Sequence, residues 1–248
     1  MKTTVIYLLC MILSGIAFGQ NEEEKMKHVD VGEVKVVTPK FTGIVNPVPV
    51  IQDGKFESID DYLAKNIQYP EKDAKRLNQG TEVVQFVVSP TGELTDFTII
   101  NSVSPQINDE VIRVLQTTKG MWMPGYNNNE PVAMEKEVSV AFKITGMRYP
   151  IDFKVQGTKY FSQGGELFLT KHNPKKAMKY YDKGIMLLPN DESLLLMRGL
   201  ARYETGDKAG ASDDWKRIAS LGIAFSNEYL SSFSDLKGYG ELTHILKK

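Results

Sequence analysis

Residues 80–103 read GTEVVQFVVSPTGELTDFTIINSV, and this stretch decides the fold of the first half of the chain. Every second residue over 84–88 is large and apolar, which is the period of a strand with one buried face. Residues 89–93 contain serine, proline and glycine and form a turn, and a second strand is expected over 94–103. The stretch therefore predicts a β-hairpin.

Two helical patterns and one further strand surround this hairpin. Ser58 is a good N-cap residue before a first helix, which should end before Tyr69-Pro70, because a residue that precedes proline avoids the helical region. The elements then follow the order helix, two strands, helix, strand, which gives a three-stranded antiparallel sheet with two helices on one face. The remaining elements are defined by apolar residues at helical spacing (Ile59, Leu63 and Ile67; Ile107, Val111, Ile112 and Leu115) and by alternating ones (Val138, Val140, Phe142 and Ile144).

A three-stranded sheet leaves two edges whose main-chain groups are unpaired, so at least one edge is available for another strand. The alternative is that Val138, Val140 and Phe142 are core residues only and that the preceding tether, residues 20–57, covers the edge. This tether contains valines and prolines in a pattern typical of extended chain or of an edge strand. Trp122 is expected to be a buried packing residue, with contact to a partner as the alternative.

Six short motifs in this region resemble the C-terminal domain of TonB. The resemblance covers about residues 56–146 and implies binding by strand addition, in which the last strand pairs with an extended segment of an outer-membrane TonB-dependent transporter. On this basis Glu137, Val138, Ser139, Val140 and Ala141 are expected to form the pairing ladder. The motifs are Tyr69-Pro70, Gly80, Val84-Gln85-Phe86-Val87, Pro90-Thr91-Gly92, Trp122-Met123-Pro124-Gly125 and Val138-Ser139-Val140-Ala141-Phe142.

The second half of the chain contains an internal repeat of 34 residues, in which Gly165, Ala177 and Tyr181 recur as Gly199, Ala211 and Trp215. This period resembles the tetratricopeptide repeat and predicts an all-α domain over 158–248, with repeats at 158–191 and 192–225 and a helical cap. Small residues such as Gly165 are expected where two helices cross closely. A concave surface would hold a peptide, although bracing of the first domain or self-association explains the helices equally well. The residues predicted to face it are Gln163, Glu166, Leu196, Met197, Leu200 and Tyr203.

The first 19 residues have the pattern of a secretory signal, with Lys2 followed by an apolar run and a small-residue cleavage site. Cleavage would leave 229 of the 248 residues. The mature protein would then be periplasmic. An uncleaved segment that anchors the protein in the inner membrane is the alternative. The predicted organisation is thus a signal peptide (1–19), a tether (20–57), a TonB-like α+β domain (58–146) and helical repeats (158–248).

Composition argues against several classes of function. A formal net charge of −1 gives no reason to expect nucleic-acid binding, and the only cysteine, Cys10, lies in the signal segment. His28, His172 and His244 are far apart in the sequence and do not have the spacing of a zinc site. Neither a phosphate-binding glycine loop nor a Gly-x-Ser-x-Gly motif is present. The sequence therefore predicts a protein that is not an enzyme and has neither a cofactor nor a small-molecule substrate.

The function predicted from these features is a periplasmic adaptor that pairs with a transporter or another envelope protein. The alternative is an envelope scaffold that forms homodimers through the TonB-like domain and binds partners through its repeats. The segment before the first domain lacks the long proline-rich spacer of an energy-transducing TonB, which puts force transmission in doubt.

Overall fold

The computed structural model describes residues 35–45, 58–146, 148 and 150–247, which form an α+β first half and a helical second half. The predicted signal segment 1–19 and most of the predicted tether 20–57 lie outside the described residues. Within these ranges, no helix is long and apolar enough to cross a membrane. The first half comprises β1 (Val36–Val37), β2 (Lys40–Phe41), α1 (Ile59–Asn66), α2 (Glu71–Arg76), β3 (Gly80–Val88), β4 (Leu94–Asn101), α3 (Pro105–Gln116), β5 (Trp122–Met123), β6 (Gly125–Asn127), β7 (Glu130–Val132) and β8 (Met134–Phe142).

The main sheet has the strand order β4-β3-β8, and both pairings are antiparallel. The predicted hairpin is therefore confirmed as β3 and β4, and the predicted third strand is β8. This strand ends at Phe142 rather than at Ile144, because the N–H of Ile144 donates to the side-chain Oε1 of Gln79 at 2.8 Å and so leaves the ladder. The central strand is the hairpin's first strand, which leaves β4 and β8 at the two edges.

Helices α1 and α3 cover one face of this sheet. Each starts at a serine whose Oγ accepts a main-chain N–H: Ser58 from Asp61 at 3.0 Å and Ser104 from Ile107 at 3.2 Å. The first helix ends at Asn66, before Tyr69-Pro70 as predicted, and the short α2 follows Pro70. The buried core between helices and sheet consists of Phe41, Leu63, Val84, Phe86, Val88, Ile107, Val111, Val114, Leu115, Trp122, Val138, Val140 and Phe142.

Part of the predicted tether is folded onto the first domain. Strand β2 pairs with β5, and β1 pairs with β6, which forms a small hairpin with β7. Phe41 is buried against Trp122, with 5.3 Å between ring centroids. Within residues 35–45 the predicted tether thus contains two short strands. These residues lie against β5 and β6, not against β8.

The second half is an array of helices in which α4 packs on α5, α5 on α6, and α6 on α7, while α9 closes against α7. The first of these helices begins ahead of residue 158, the predicted start of the repeats. Asp or Asn side chains cap the N-termini of α4, α5, α6 and α7. The helices are α4 (Phe153–Gly165, continued by a π-helical turn at Glu166–Thr170), α5 (Pro174–Leu187), α6 (Glu192–Glu204), α7 (Lys208–Ser220), α8 (Asn227–Ser231) and α9 (Tyr239–Leu246).

The close crossing of the first helix pair lies at Gly164 and not at Gly165. A Cβ at Gly164 would collide with the ring of Tyr181, whereas a Cβ at Gly165 would meet nothing within 4 Å. In the next pair, Gly199 is in the same close contact with Trp215. The π-helical turn after Gly165 contains one residue more per turn than an α-helix, which explains why glycine and aromatic residue are one position further apart in the first pair.

The two halves are joined through the face of the sheet that α1 and α3 leave free. Thr81 Oγ1 donates to the carbonyl of Leu187 at 2.7 Å, at the end of α5. Asn101 Nδ2 donates to the carbonyls of Thr81 at 2.7 Å and Ile185 at 3.3 Å. Ala141 of β8 packs in a small cluster with Phe153 and Leu187. The end of α5 therefore lies directly on the sheet.

Candidate strand-pairing edge

Strand β8 offers a long and regular sheet edge. It pairs with β3 over nine consecutive residue pairs, from Gly80 opposite Phe142 to Val88 opposite Met134, without a register shift. In the part of the chain that the structure describes, no strand pairs with its outer side. Since the N–H and C=O groups of an edge strand alternate between its two sides, half of them face outward, where a further strand can bind them.

The opposite edge, β4, is irregular. Its pairing with β3 shifts once between Val83 and Val84 and again between Gln85 and Val87, so that β4 carries an extra residue at each place. Ile100 is the extra residue in the first shift and is exposed, and Asp96 near the second has a positive φ of 52°. Bulges of this kind bend a strand and interrupt its ladder, and proteins use them to blunt sheet edges. The two edges therefore differ in their capacity to accept a strand.

The five residues predicted to form the ladder lie on β8, and their side chains have other contacts. Val138 and Val140 are buried in the core against the helices. Ala141 is buried on the opposite face, and Ser139 is half-buried. A partner at this edge would therefore meet main-chain groups in the first place, and the side chains set the shape beside them.

Glu137 is held by the helical half of the protein. Its two carboxylate oxygens accept hydrogen bonds from Arg217 of α7, at 2.6 Å from Nη1 and 2.7 Å from Nη2. Arg217 also donates to Oδ1 of Asn190, at 2.6 Å from Nη2 and 3.2 Å from Nε. The paired side chains are only 18% and 26% exposed. This ion pair links β8 to a residue 80 positions later in the chain, a proximity that no local sequence pattern indicates.

The predicted groove on the helical array is not formed by the residues expected. Leu196, Met197 and Leu200 are 0–2% exposed and belong to the core between the helices, so the expectation that they face a groove is corrected. The three lie on the inner side of α6, where apolar spacing alone did not distinguish a core face from a groove face. Of the polar and aromatic residues predicted with them, Gln163 is half-buried, Glu166 is exposed and paired with Lys171 at 2.8 Å, and Tyr203 stacks on Trp215 at 5.9 Å between centroids.

An open cleft of about 510 Å³ lies instead between the sheet and the helical array. Ile99 and Ile100 of β4 form part of one wall, and Arg198, Arg202 and Arg217 contribute to the other. These arginines are already paired: Arg198 contacts Asp214 at 2.7 Å and Asp182 at 3.0 Å, and Arg202 contacts Asp214 at 2.9 Å. The guanidinium groups of Arg198 and Arg202 therefore join helices within the array, while that of Arg217 joins the array to β8.

Trp122 is a core residue, as predicted from its size. It is 3% exposed, its Nε1 donates to Thr118 Oγ1 at 2.9 Å, and its ring lies 5.4 Å from that of Phe86. Among the residues whose positions are described, no group of histidine, cysteine or acidic side chains could hold a metal ion.

Glu82 is a buried carboxyl group in a strand whose sequence pattern gives no sign of it. It lies on β3 directly opposite Val140 of β8 and is fully buried. The N–H of Val103 donates to its Oε2 at 2.9 Å, and the amide nitrogen of Asn108, oriented as its neighbours require, lies 3.0 Å from its Oε1. Burial raises the pKa of Glu82 to about 7, and the Val103 hydrogen bond lowers it by less.

A comparison with protein families identifies the first domain. Residues 65–144 match the family model of the Gram-negative bacterial TonB protein C-terminal region, which is about a third of the 248 residues. Neither the curated proteins nor the solved structures gave a match. The matched range begins inside α1 and ends just beyond β8, so it includes the whole main sheet. The match indicates a protein-interaction role in the cell envelope, and the region from residue 65 to residue 144 is a TonB C-terminal-like domain.

Proposed function

We propose that this protein is a non-enzymatic periplasmic adaptor that binds an extended segment of an outer-membrane transporter, or of another envelope protein, by strand addition to β8. The observation that supports the proposal is the contrast between the two edges of the sheet. The β8 edge runs through nine regular pairs, while the β4 edge carries two bulges. A partner strand at β8 would gain a continuous set of main-chain hydrogen bonds.

The position of the core favours the same edge. Val138 and Val140 anchor β8 from the helix-covered face, so the strand is held in place while its outer side stays unpaired in the described part of the chain. A site that is already extended when empty loses little conformational entropy on binding. The family match adds support, since it ends just after this strand.

The second part of the proposal concerns the helical half, which we interpret as two tetratricopeptide-like repeats with a cap. It is supported by the 34-residue recurrence and by the matching close contacts of Gly164 with Tyr181 and Gly199 with Trp215. In this proposal the mature protein starts after residue 19, and the repeats brace the sheet and recruit a second protein. Their contact with the sheet at Thr81 and Ala141 favours the bracing role.

An NMR titration of the full chain tests strand addition. A synthetic peptide with the sequence of the short extended segment near the N-terminus of an outer-membrane transporter (the transporter-box peptide) should shift or broaden the amide signals of β8. A scrambled peptide should not. Ser139→Pro and Val140→Pro then form a matched pair, because neighbouring N–H groups point to opposite sides of a strand and proline removes one of them. One variant should lose the pairing with β3 and unfold, and the other should stay folded and lose the peptide.

Ile100→Pro is the control at the other edge, since proline is tolerated at bulges. It should bind the peptide as the parent does. If the folded variant of the β8 pair binds the peptide as tightly as the parent, strand addition at β8 is wrong.

Self-pairing through β8 is the second candidate function, because a regular edge can also accept its own copy. It predicts a dimer whose population rises with protein concentration in analytical ultracentrifugation. The same proline variant that abolishes peptide binding should abolish this dimer. A monomer at all concentrations would exclude the scaffold and leave the adaptor.

A further inference from the structure

The contact between Arg217 and Glu137 has the geometry of a strong ion pair. Two parallel hydrogen bonds of 2.6 and 2.7 Å join a planar guanidinium to a carboxylate, and Asn190 fixes the guanidinium from the side. Both side chains are largely shielded from water. Bidentate pairs of this kind fix orientation as well as distance, which a lysine in the same place does not.

The position of this pair on β8 is what makes it informative. Glu137 lies opposite Gln85 in the middle part of the strand, on the face away from α1 and α3. An edge strand has main-chain partners on one side only and therefore opens more easily than a central strand. The ion pair with Arg217, which belongs to the helical half, compensates for the main-chain partners that β8 lacks on its outer side.

Arg217 in turn belongs to a well-packed part of the helical array. Its helix, α7, contributes the buried Ala211, Trp215 and Ile218 to the core of the array. Asn190, which binds the same guanidinium, lies in the turn between α5 and α6. The ion pair therefore connects β8 to two places in the helical half.

We infer that Arg217 is a positioning residue for the β8 edge: the helical array, acting through the Arg217–Glu137 pair, holds β8 in the extended conformation that accepts a partner strand. This inference rests on the proposed function. Because coupling between two sites is reciprocal, a strand bound at β8 also strengthens the contact of α7 with the sheet. The helical half is then part of the binding site without touching the partner.

The test uses the full chain, the transporter-box peptide and four variants. Arg217→Gln removes both the charge and the bidentate hydrogen bonding. Arg217→Lys keeps the charge but not the bidentate hydrogen bonding. The double variant Arg217→Glu with Glu137→Arg restores a pair in reversed orientation. Arg113→Gln is the matched control, because Arg113 makes a similar two-bonded pair with Glu110 within α3, away from β8.

Peptide affinity and hydrogen exchange of the β8 amides are measured for each. Arg217→Gln should bind the peptide about tenfold more weakly, as expected when the competent fraction of β8 falls to about one tenth. Its β8 amides should exchange faster than those of the parent, while the core amides of α3 keep their protection. The peptide affinity of Arg217→Lys should lie between those of the parent and Arg217→Gln. The reversed pair should recover most of the affinity. Arg113→Gln should match the parent.

The outcomes separate this inference from the proposed function. If the parent binds no peptide, the adaptor function is wrong, and the Arg217–Glu137 pair has no binding edge to position. If the parent and Arg217→Gln bind the peptide equally well, the positioning role of Arg217 is refuted, while strand addition stands. A loss of affinity that the reversed pair does not restore, or that comes with faster exchange throughout the core, would also overturn the inference, because it would reflect a general loss of structure.

Discussion

Replacement of Glu82 by glutamine should make the protein more stable at pH 8 and remove a pH dependence of its unfolding. Glu82 is fully buried, and its carboxyl contacts the N–H of Val103 and the amide of Asn108. No charged side chain contributes to the shift of its pKa, which has burial as its main cause. Glutamine has nearly the same shape, and its side-chain oxygen can still accept the hydrogen bond from the N–H of Val103.

The sign follows from proton binding. The pKa of Glu82 rises from 4.5 in the unfolded chain to about 7 in the folded protein, so the folded state binds more protons between these values. Its contribution to stability is therefore fully present below pH 4.5 and is lost as the pH rises through 7. Because one pKa unit corresponds to about 1.4 kcal/mol, the loss amounts to about 3 kcal/mol. The free energy of unfolding of Glu82→Gln should not contain this loss.

Urea unfolding of the parent and of Glu82→Gln at several pH values from 5 to 8 measures the difference directly. The variant's advantage in free energy of unfolding should grow by about 2 to 3 kcal/mol across this range. Ionisable groups other than Glu82 are the same in both proteins, so their contributions cancel in the difference. Glu130→Gln, at an exposed position of β7, is the charge-matched control and should show no such growth. A constant difference between parent and Glu82→Gln would refute the reasoning.

Two further predictions concern packing. Gly164→Ala should destabilise the helical array by about 1 to 3 kcal/mol, because the added Cβ collides with the ring of Tyr181. Gly165→Ala should be neutral or slightly stabilising, since its Cβ meets open space and alanine favours helix. Thermal unfolding of the two variants side by side measures this, and equal melting temperatures would contradict the assigned crossing point. Phe41→Ala should cost about 3 to 5 kcal/mol in urea unfolding, since Phe41 is buried against Trp122 and a cavity would remain. A loss below about 1 kcal/mol would mean that residues 35–45 do not belong to the folded domain.

The main sheet could be predicted from sequence because its signals are local. Alternation over 84–88, the turn at Gly92 and the helical spacing of Ile107 and Val111 each lie within a few residues, and the structure has a strand, a turn and a helix there. The N-cap Ser58 is a local signal of the same kind, since acidic residues follow it in the first turn of α1.

Other features depend on contacts that local patterns do not contain. The hairpin of β6 and β7 turns at Asn128 and Asn129, both with positive φ, and asparagine is among the residues that tolerate this conformation. That signal was present in the sequence but lay between strands of only three residues. The one-residue shift of the helix crossing to Gly164 comes from a π-helical turn, which has no simple sequence signature. The pairing of Arg217 with Glu137 requires the two halves to dock first.

The bulges of β4 have a consequence for assembly. If two copies join through β8 about a twofold axis, the six strands of the combined sheet end on both sides in a bulged β4, which offers poor pairing to a third copy. Growth of the sheet would stop at two molecules. In that arrangement, the bulges of β4 would disfavour the growth of the sheet into a fibre.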